Sequence, residues 1–372
     1  MQAVEVGQHD APWALVLAAG EGSRLRALTT TESGVSVPKQ FCSLLGERSL
    51  LRDTILRAQR IVPWQRVCAI VAAHHRRWWN ESLMELEHEN VIVQPRNRGT
   101  ATGILLPLLH IVKRDPDARI VILPSDHHVR DETTLQRSLQ EGLNAIQHDP
   151  LGIALLGVRP EFADEELGYI IPGEPCGRSF YRVDRFVEKP PADVALSIMH
   201  AGGLWNVFIL VARAGALLQL IEGQRPDVVR RLRAIVRRSR ARPAESNDEL
   251  SALYEELGDF DFSRHVAQPA AASLRVLEAP PCGWSDLGTV RRVAEVLGRQ
   301  TETGRALPRR LSGVTPCLNL AEQFDHFAAR LLPNRAAHDI SRRALENSGV
   351  RSTVDVISAL PTWEQRESLN PH

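Results

Sequence analysis

Along the first part of the chain, short and almost wholly apolar runs alternate with longer stretches in which apolar residues recur every three or four positions. The runs at 14–18, 67–73, 91–94, 119–123 and 152–158 are bounded by breakers and predict buried strands. The stretches 50–61, 78–87, 102–113 and 133–146 carry a helical period. Strand alternating with helix predicts an α/β protein whose parallel, doubly wound sheet binds ligands at the carboxyl ends of its strands. After Gly168 the rhythm changes: 169–171, 181–187 and 204–212 read as further strands inside or beside the sheet, and 214–258 reads as helical. Beyond Gly298 the motifs stop. A helical stretch at 318–332 is broken by Pro333, and a polar end with Pro361 and Pro371 follows, without the hexapeptide repeat that builds a β-helix. This predicts a main domain over 1–298 and a helical appendage over 299–372.

Candidate chemistry begins where the first strand ends. Leu17-Ala18-Ala19-Gly20-Glu21-Gly22-Ser23-Arg24 is followed by Pro38-Lys39-Gln40-Phe41. Glycines let backbone N–H groups approach anionic oxygens, and Arg24 and Lys39 supply the positive charge that a polyphosphate requires. The dinucleotide fingerprint is excluded because Leu25 stands where its third glycine would fall, and the Gly-Lys-Ser/Thr ending of a P-loop is missing. A phosphate grip and a plain strand-to-helix turn both fit the loop taken alone.

Composition narrows the partners. Lys+Arg and Asp+Glu balance at 45 each among 372 residues, so bulk charge gives no reason to expect nucleic acid or an anionic membrane as partner. No apolar run is long enough to span a bilayer and the first residues lack the pattern of a signal peptide, which leads to an expectation of a cytoplasmic protein. The five cysteines (Cys42, Cys68, Cys176, Cys282, Cys317) are scattered and read as buried or incidental thiols. His74-His75 and His127-His128 are adjacent pairs whose side chains diverge on a regular element, so they read as structural. An arginine-rich stretch over 225–242, with Arg230, Arg231, Arg233, Arg237, Arg238, Arg240 and Arg242, reads as a solvated helix face, with an acidic-partner patch as the sharper alternative.

Further motifs follow in order: Gln94-Pro95 with Arg98-Gly99-Thr100-Ala101, Leu123-Pro124-Ser125-Asp126-His127, Leu167-Gly168-Tyr169-Ile170, Phe186-Val187-Glu188-Lys189-Pro190, Trp205-Asn206 and Gly283-Trp284-Ser285-Asp286-Leu287-Gly288. With the glycine loop and the Lys-Gln-Phe segment, this series resembles the sugar-1-phosphate nucleotidyltransferases, and among them the mannose-1-phosphate guanylyltransferase group. The resemblance runs from Ala14 to about Val296 and rests on the order of the motifs, since each alone is weak. It implies a Rossmann-like, GT-A-type mixed and mainly parallel sheet flanked by helices.

It also implies a reaction in which a sugar-1-phosphate oxygen attacks the α-phosphorus of a nucleoside triphosphate and pyrophosphate leaves. Both reactants are polyanions, so neutralising charge is the central problem. The resemblance gives Arg24 and Lys39 the triphosphate and departing pyrophosphate, and Lys189 the phosphate of the sugar. Asp126 and Asp286 stand at the positions of the metal carboxylates, suited to hard Mg²⁺. Ala18, Ala19, Gly20, Gly22, Ser23, Gln94 and Thr100 stand at the nucleotide, and Gly168, Glu188 and Asn206 at the sugar. GTP is the favoured nucleotide, and a homodimer is among the assemblies that the resemblance allows. UTP or dTTP with glucose-1-phosphate, a nucleotide-sugar binder without turnover, and nucleic-acid binding through the arginine-rich helix remain the alternatives. Four places depart from the usual pattern: Leu28, Gly99, Glu165-Glu166, and Val207-Phe208 after Asn206. The β-structured C-terminal extension usual in the family is not recognisable.

Overall fold

The computed structural model of the protein describes residues 11–31, 33–44, 48–149, 152–177, 179–239, 247–302, 318–321 and 323–324. They group into two compact units, one made of the residues up to Gly20 with Leu51–Trp284, the other of Glu21–Leu50 with the residues from Ser285 onward.

In chain order the strands are β1 (Trp13–Ala18), β2 (Val67–Ala72), β3 (Val91–Gln94), β4 (Arg119–Pro124), β5 (His128–Val129), β6 (Ile153–Val158), β7 (Tyr169–Pro175), β8 (Phe180–Val187), β9 (Leu204–Arg213), β10 (Arg275–Glu278) and β11 (Trp284–Ser285). Nine of them form the sheet of the first unit, in the order β3-β2-β1-β4-β9-β6-β10-β8-β7. Pairing is parallel for β1 with β2 and β4, β2 with β3, and β6 with β10, and antiparallel elsewhere. Seven of the nine strands therefore run one way and only β8 and β9 run against them, the mainly parallel mixed sheet that the sequence implies. The far edge curls back, because β7 also pairs with β9 through Tyr169↔Trp205 and Ile170↔Leu204. The strands β9-β6-β10-β8-β7 thus close on one another.

The expected strands all form, within two residues of their predicted starts, although β7 runs four residues past its expected end, to Pro175. Several elements escaped the sequence reading, among them one strand and one helix of this unit. Arg275-Val276-Leu277-Glu278 holds only two apolar residues, and β10 exists because β6 and β8 flank it on both sides. Helix α6 (Ala192–His200) buries only Ala195 and Ile198, too thin a stripe to stand out. The remaining helices of this unit are α2 (Leu50–Gln59), α3 (Arg76–Ser82), α4 (Thr100–Arg114), α5 (Glu132–Ala145), α7 (Ala214–Gln224), α8 (Pro226–Arg238) and α9 (Asp248–Glu256). Helix α3 lies earlier than the predicted 78–87, because Trp79 anchors it to the end of β2 by donating its indole N–H to Ala72 O at 2.9 Å. Helix α4 is apolar almost all round and packs in the core among Leu15, Ile70, Ile122, Leu217 and Leu232.

The arginine-rich run becomes the outer face of α8, whose Val228, Val229, Leu232, Ile235 and Val236 are buried. Arg231 pairs with Glu256 at 2.6 Å, Arg233 with Glu222 at 2.8 Å, and Arg238 with Glu249. The solvated-face reading accounts for these side chains, while Arg240 and Arg242 lie outside the described residues.

The second unit contains α1 (Arg26–Thr29) and α10 (Val290–Glu302), so the boundary expected at 298 falls within a helix. Leu28, one of the departures from the family pattern, is fully buried there. Ser43 N donates to Leu318 O at 2.9 Å and Leu320 N to Ser43 O at 2.8 Å, which ties residues from the expected appendage to the loop after Phe41. The rest of 299–372, with Cys317, Pro333, Pro361 and Pro371, lies outside the described residues. No helix among the described residues is long and apolar enough to cross a membrane.

Candidate functional site

In the first unit, the ends of β1 and β4 are locked side by side by the register Leu17↔Pro124. Ser125 reinforces this, donating to Leu17 O through both its N–H (3.0 Å) and its Oγ (2.7 Å). Ala18, Ala19 and Gly20 therefore leave the sheet at the same edge as Asp126. Gln94 ends β3 at that edge, through Ala18↔Val71 and Ala72↔Gln94. Its side chain is buried, and Oε1 has no hydrogen-bond partner among the described residues. A buried acceptor without a donor costs about 1–3 kcal/mol, which a ligand N–H would recover. Thr100 opens α4, and its hydroxyl donates to Asp261 Oδ2 at 2.9 Å while accepting from Phe262 N–H at 2.7 Å.

Asp126 stands half-exposed beyond β4, with its Oδ1 3.6 Å from His127 Nε2. Trp284 Nε1 donates to His127 Nδ1 at 3.2 Å, so the neutral ring keeps its proton on Nε2, the nitrogen that faces the carboxylate. His127 thus stands between the Asp126 carboxylate and the Trp284 indole, next to a candidate residue that directly precedes it in the sequence. His74 and His75 do not diverge. They share a tight turn, Ala73–His75, that brings their rings to 4.0 Å.

The sugar-side candidates converge. Register Tyr169↔Val187 sets Gly168 opposite Glu188, and Asn206 N donates to Gly168 O at 2.8 Å. Glu188 Oε2 lies 2.6 Å, and Asn206 Cβ 3.6 Å, from where a side chain on residue 168 would begin. Burial, and then the Asp261 carboxylate, raise the Glu188 pKa against the opposing pull of Lys189, Ser263 and Arg264. Lys189 Nζ is 4.0 Å from Glu166 Oε2, so one of the departing glutamates stands beside the expected phosphate cation. Asn206 Oδ1 accepts from Phe208 N–H at 3.2 Å, bracing a bulge of β9.

In the second unit, Gly22 takes a left-handed φ of 63°, and a Cβ there would sit 2.8 Å from Lys39 N, so only glycine fits. Ser23 opens the short turn Ser23–Leu25 that carries Arg24. Lys39 is buried, and its Nζ donates to Asp286 O at 2.6 Å and Leu287 O at 3.4 Å. Asp286 is buried as well. Its Oδ1 accepts from Gly288 N–H at 3.0 Å and pairs with Arg292, and its Oδ2 is 3.9 Å from Arg24 Nη2. Arg292, six residues downstream with no motif of its own, was not legible in the sequence.

Backbone strain marks the same places. Among the described residues the non-glycine positions with positive φ are Lys189 (49°), Phe208 (55°) and Leu287 (48°). One is a candidate cation, one follows Asp286, and one lies two residues beyond Asn206. Such strain costs roughly 1–3 kcal/mol per residue and collects at functional sites. Asp126 in the first unit and Asp286 in the second each carry hard carboxylate oxygens of the kind that divalent cations prefer, and at Asp286 the carboxylate is shared with the Arg24 and Arg292 guanidinium groups.

A mainly parallel sheet with glycine-rich, cationic and acidic segments beyond its strand ends defines a nucleotide-handling α/β protein. The chain belongs to the nucleotidyl transferase family, whose profile, described as "Nucleotidyl transferase", matches residues 13–302. It is 33% identical over 232 residues to mannose-1-phosphate guanylyltransferase 2 of Escherichia coli O157:H7, covering 59% of this chain and 47% of that protein. It is 29% identical over 304 residues to mannose-1-phosphate guanylyltransferase of Escherichia coli K12, covering 77% and 60%. The chain therefore spans about half the length of such relatives. A solved structure described as mannose-1-phosphate geranyltransferase, from Thermus thermophilus, superposes with a TM-score of 0.67 at 26% identity, covering 77% of this chain and 79% of that one.

Proposed function

We propose that the protein transfers a nucleotidyl group from a nucleoside triphosphate to a sugar-1-phosphate, and that the pair is GTP and mannose-1-phosphate, giving GDP-mannose. A phosphate oxygen of the sugar phosphate forms the new bond to the α-phosphorus, and the bond from that phosphorus to the pyrophosphate bridge breaks. Arg24 and Lys39 take the triphosphate and the departing pyrophosphate, and Lys189 takes the phosphate of the acceptor. Ala18, Ala19, Gly20, Gly22, Ser23, Gln94 and Thr100 serve the nucleotide. Gln94 Oε1, buried and without a donor among the described residues, is suited to an N–H edge such as that of guanine. Gly168, Glu188 and Asn206 serve the sugar. Asp126 and Asp286 are the carboxylates for Mg²⁺, which when bound would neutralise phosphate charge.

The observation that carries this reading is the convergence of Gly168, Glu188 and Asn206, three residues separated along the sequence, in a chain matched to the family over residues 13–302. A pyrophosphate-release assay over four nucleoside triphosphates and several sugar-1-phosphates tests it. GTP with mannose-1-phosphate should give the highest rate. Preference for UTP or dTTP with glucose-1-phosphate overturns the substrate assignment alone, and Phe208 and Glu166 on the sugar side make that the reading to compare. No release with any pair overturns the enzymatic reading.

A further inference from the structure

One segment of the first unit, residues 259–268, is fastened to both halves of the candidate site. On the nucleotide side it lies against the residues that open α4. Phe260 N donates to Arg98 O at 3.1 Å, and Ala101 N donates to Phe260 O at 2.8 Å. Between these bonds Gly99 adopts a φ of 83°, and a Cβ there would stand 2.5 Å from Phe260 O. Glycine at this departure from the family pattern is thus what admits the segment. Thr100 completes the attachment through Asp261 and Phe262.

On the sugar side, Gln268 accepts from Glu188 N–H through its Oε1 at 3.1 Å. Ser263 and Arg264 of the same segment hold the Glu188 carboxyl down against the rise that burial causes. Phe262 meets Phe208 edge-to-face at 6.0 Å, where Phe208 holds its left-handed backbone beside Asn206. Asp261 sits at the pivot. Its Oδ2 takes the Thr100 hydroxyl, its Oδ1 takes Arg264 N–H at 2.8 Å, and its own N–H donates to His265 Nδ1 at 2.8 Å.

We infer that Asp261 is a positioning residue that couples the nucleotide side of the site, through Thr100, to the sugar side, through Glu188. The inference rests on the proposed reaction for its kinetic readout only. Because one segment orders both groups, loosening it weakens both substrates together, whereas losing a group that touches one substrate weakens that one. The charged groups that face Glu188 are Asp261 and Arg264 from the segment and Lys189 from its own strand end, with Glu166 beside Lys189. Removing the Asp261 charge therefore moves Glu188 towards an ordinary carboxylate.

The test uses the full chain. D261N should raise KM for GTP and for mannose-1-phosphate by about tenfold each, with kcat changed far less. In the same variant the Glu188 carboxyl resonance, assigned with E188Q in carboxyl-labelled protein, should titrate at lower pH than in the wild type. T100V should raise both KM values and T100S should restore them. A change in only one KM, or an unmoved Glu188 titration, overturns the inference. If the wild-type protein turns over no substrate pair, the proposed reaction fails and the Glu188 titration alone decides for or against Asp261. If D261N loses its melting transition, T100V and T100S carry the same comparison.

Discussion

The two halves of the sheet solve different problems. In β3-β2-β1-β4 every pairing is parallel, the strands are buried almost throughout, and the candidate groups are strand-end backbone, a buried amide and one half-exposed carboxylate. In β9-β6-β10-β8-β7 the pairing is mostly antiparallel, and β8 buries only Phe180, Val183 and Phe186 among exposed and half-buried positions. Its candidate groups are Gly168 and Asn206 with two ionisable side chains, Lys189 on left-handed backbone and the desolvated Glu188. The first half offers a fixed frame of backbone, whereas the second holds charges whose state depends on their neighbours. Substitutions in the first should therefore act on chemistry or on folding outright, and those in the second on acceptor binding and its pH dependence.

The largest effect expected is that of Asp126→Asn, which should reduce pyrophosphate release by about 100-fold or more while leaving the circular dichroism and melting temperature unchanged. Wild-type rates in this variant would break the comparison at its catalytic end. Lys189→Ala should raise KM for the sugar phosphate by roughly 10–100-fold with KM for the nucleotide unchanged, because the role proposed for this charge is at the acceptor. Equal effects on both substrates would show that the halves are not specialised.

Gly99→Ala should cost about 2–4 kcal/mol, from a left-handed φ together with overlap on Phe260 O. Calorimetry would register this as a fall in melting temperature of roughly 5–10 °C. A variant as stable as the parent would refute the attachment of residues 259–268 at this point. The smallest effect is a pH slope. Glu188 has a folded-state pKa raised chiefly by burial, so it binds its proton more tightly in the folded protein. The resulting stabilisation is complete below the ordinary glutamate value and is lost as pH rises through the raised one. Glu188→Gln should flatten denaturant-melt stability across that window, and an unchanged slope would place the group in an ordinary solvated setting.

Much of the first half was legible because parallel strands buried on both faces read as uninterrupted apolar runs, as Val67-Cys68-Ala69-Ile70-Val71-Ala72 does. The closed half was legible only in part. Its strand β10 is short and polar at both ends, and its pairing is set by neighbours more than 80 residues away. The place of His127 beside Asp126 could be read from the chain. That of Asp261 could not, since its partners Thr100 and Glu188 lie far from it along the chain.

The alternation of strand and helix, the glycine loop, the order of the motifs and the residue types that phosphate chemistry requires are all present in the linear chain. These are local properties, fixed by side-chain periodicity, backbone freedom and charge. That Gly168, Glu188 and Asn206 meet, that Arg292 pairs with Asp286, and that three non-glycine residues hold left-handed backbone at or beside candidate groups follows from the folded arrangement alone. Such contacts depend on strand register and chain reversal over long separations, where the packing of the whole sheet, and no single segment, sets the distance between two side chains.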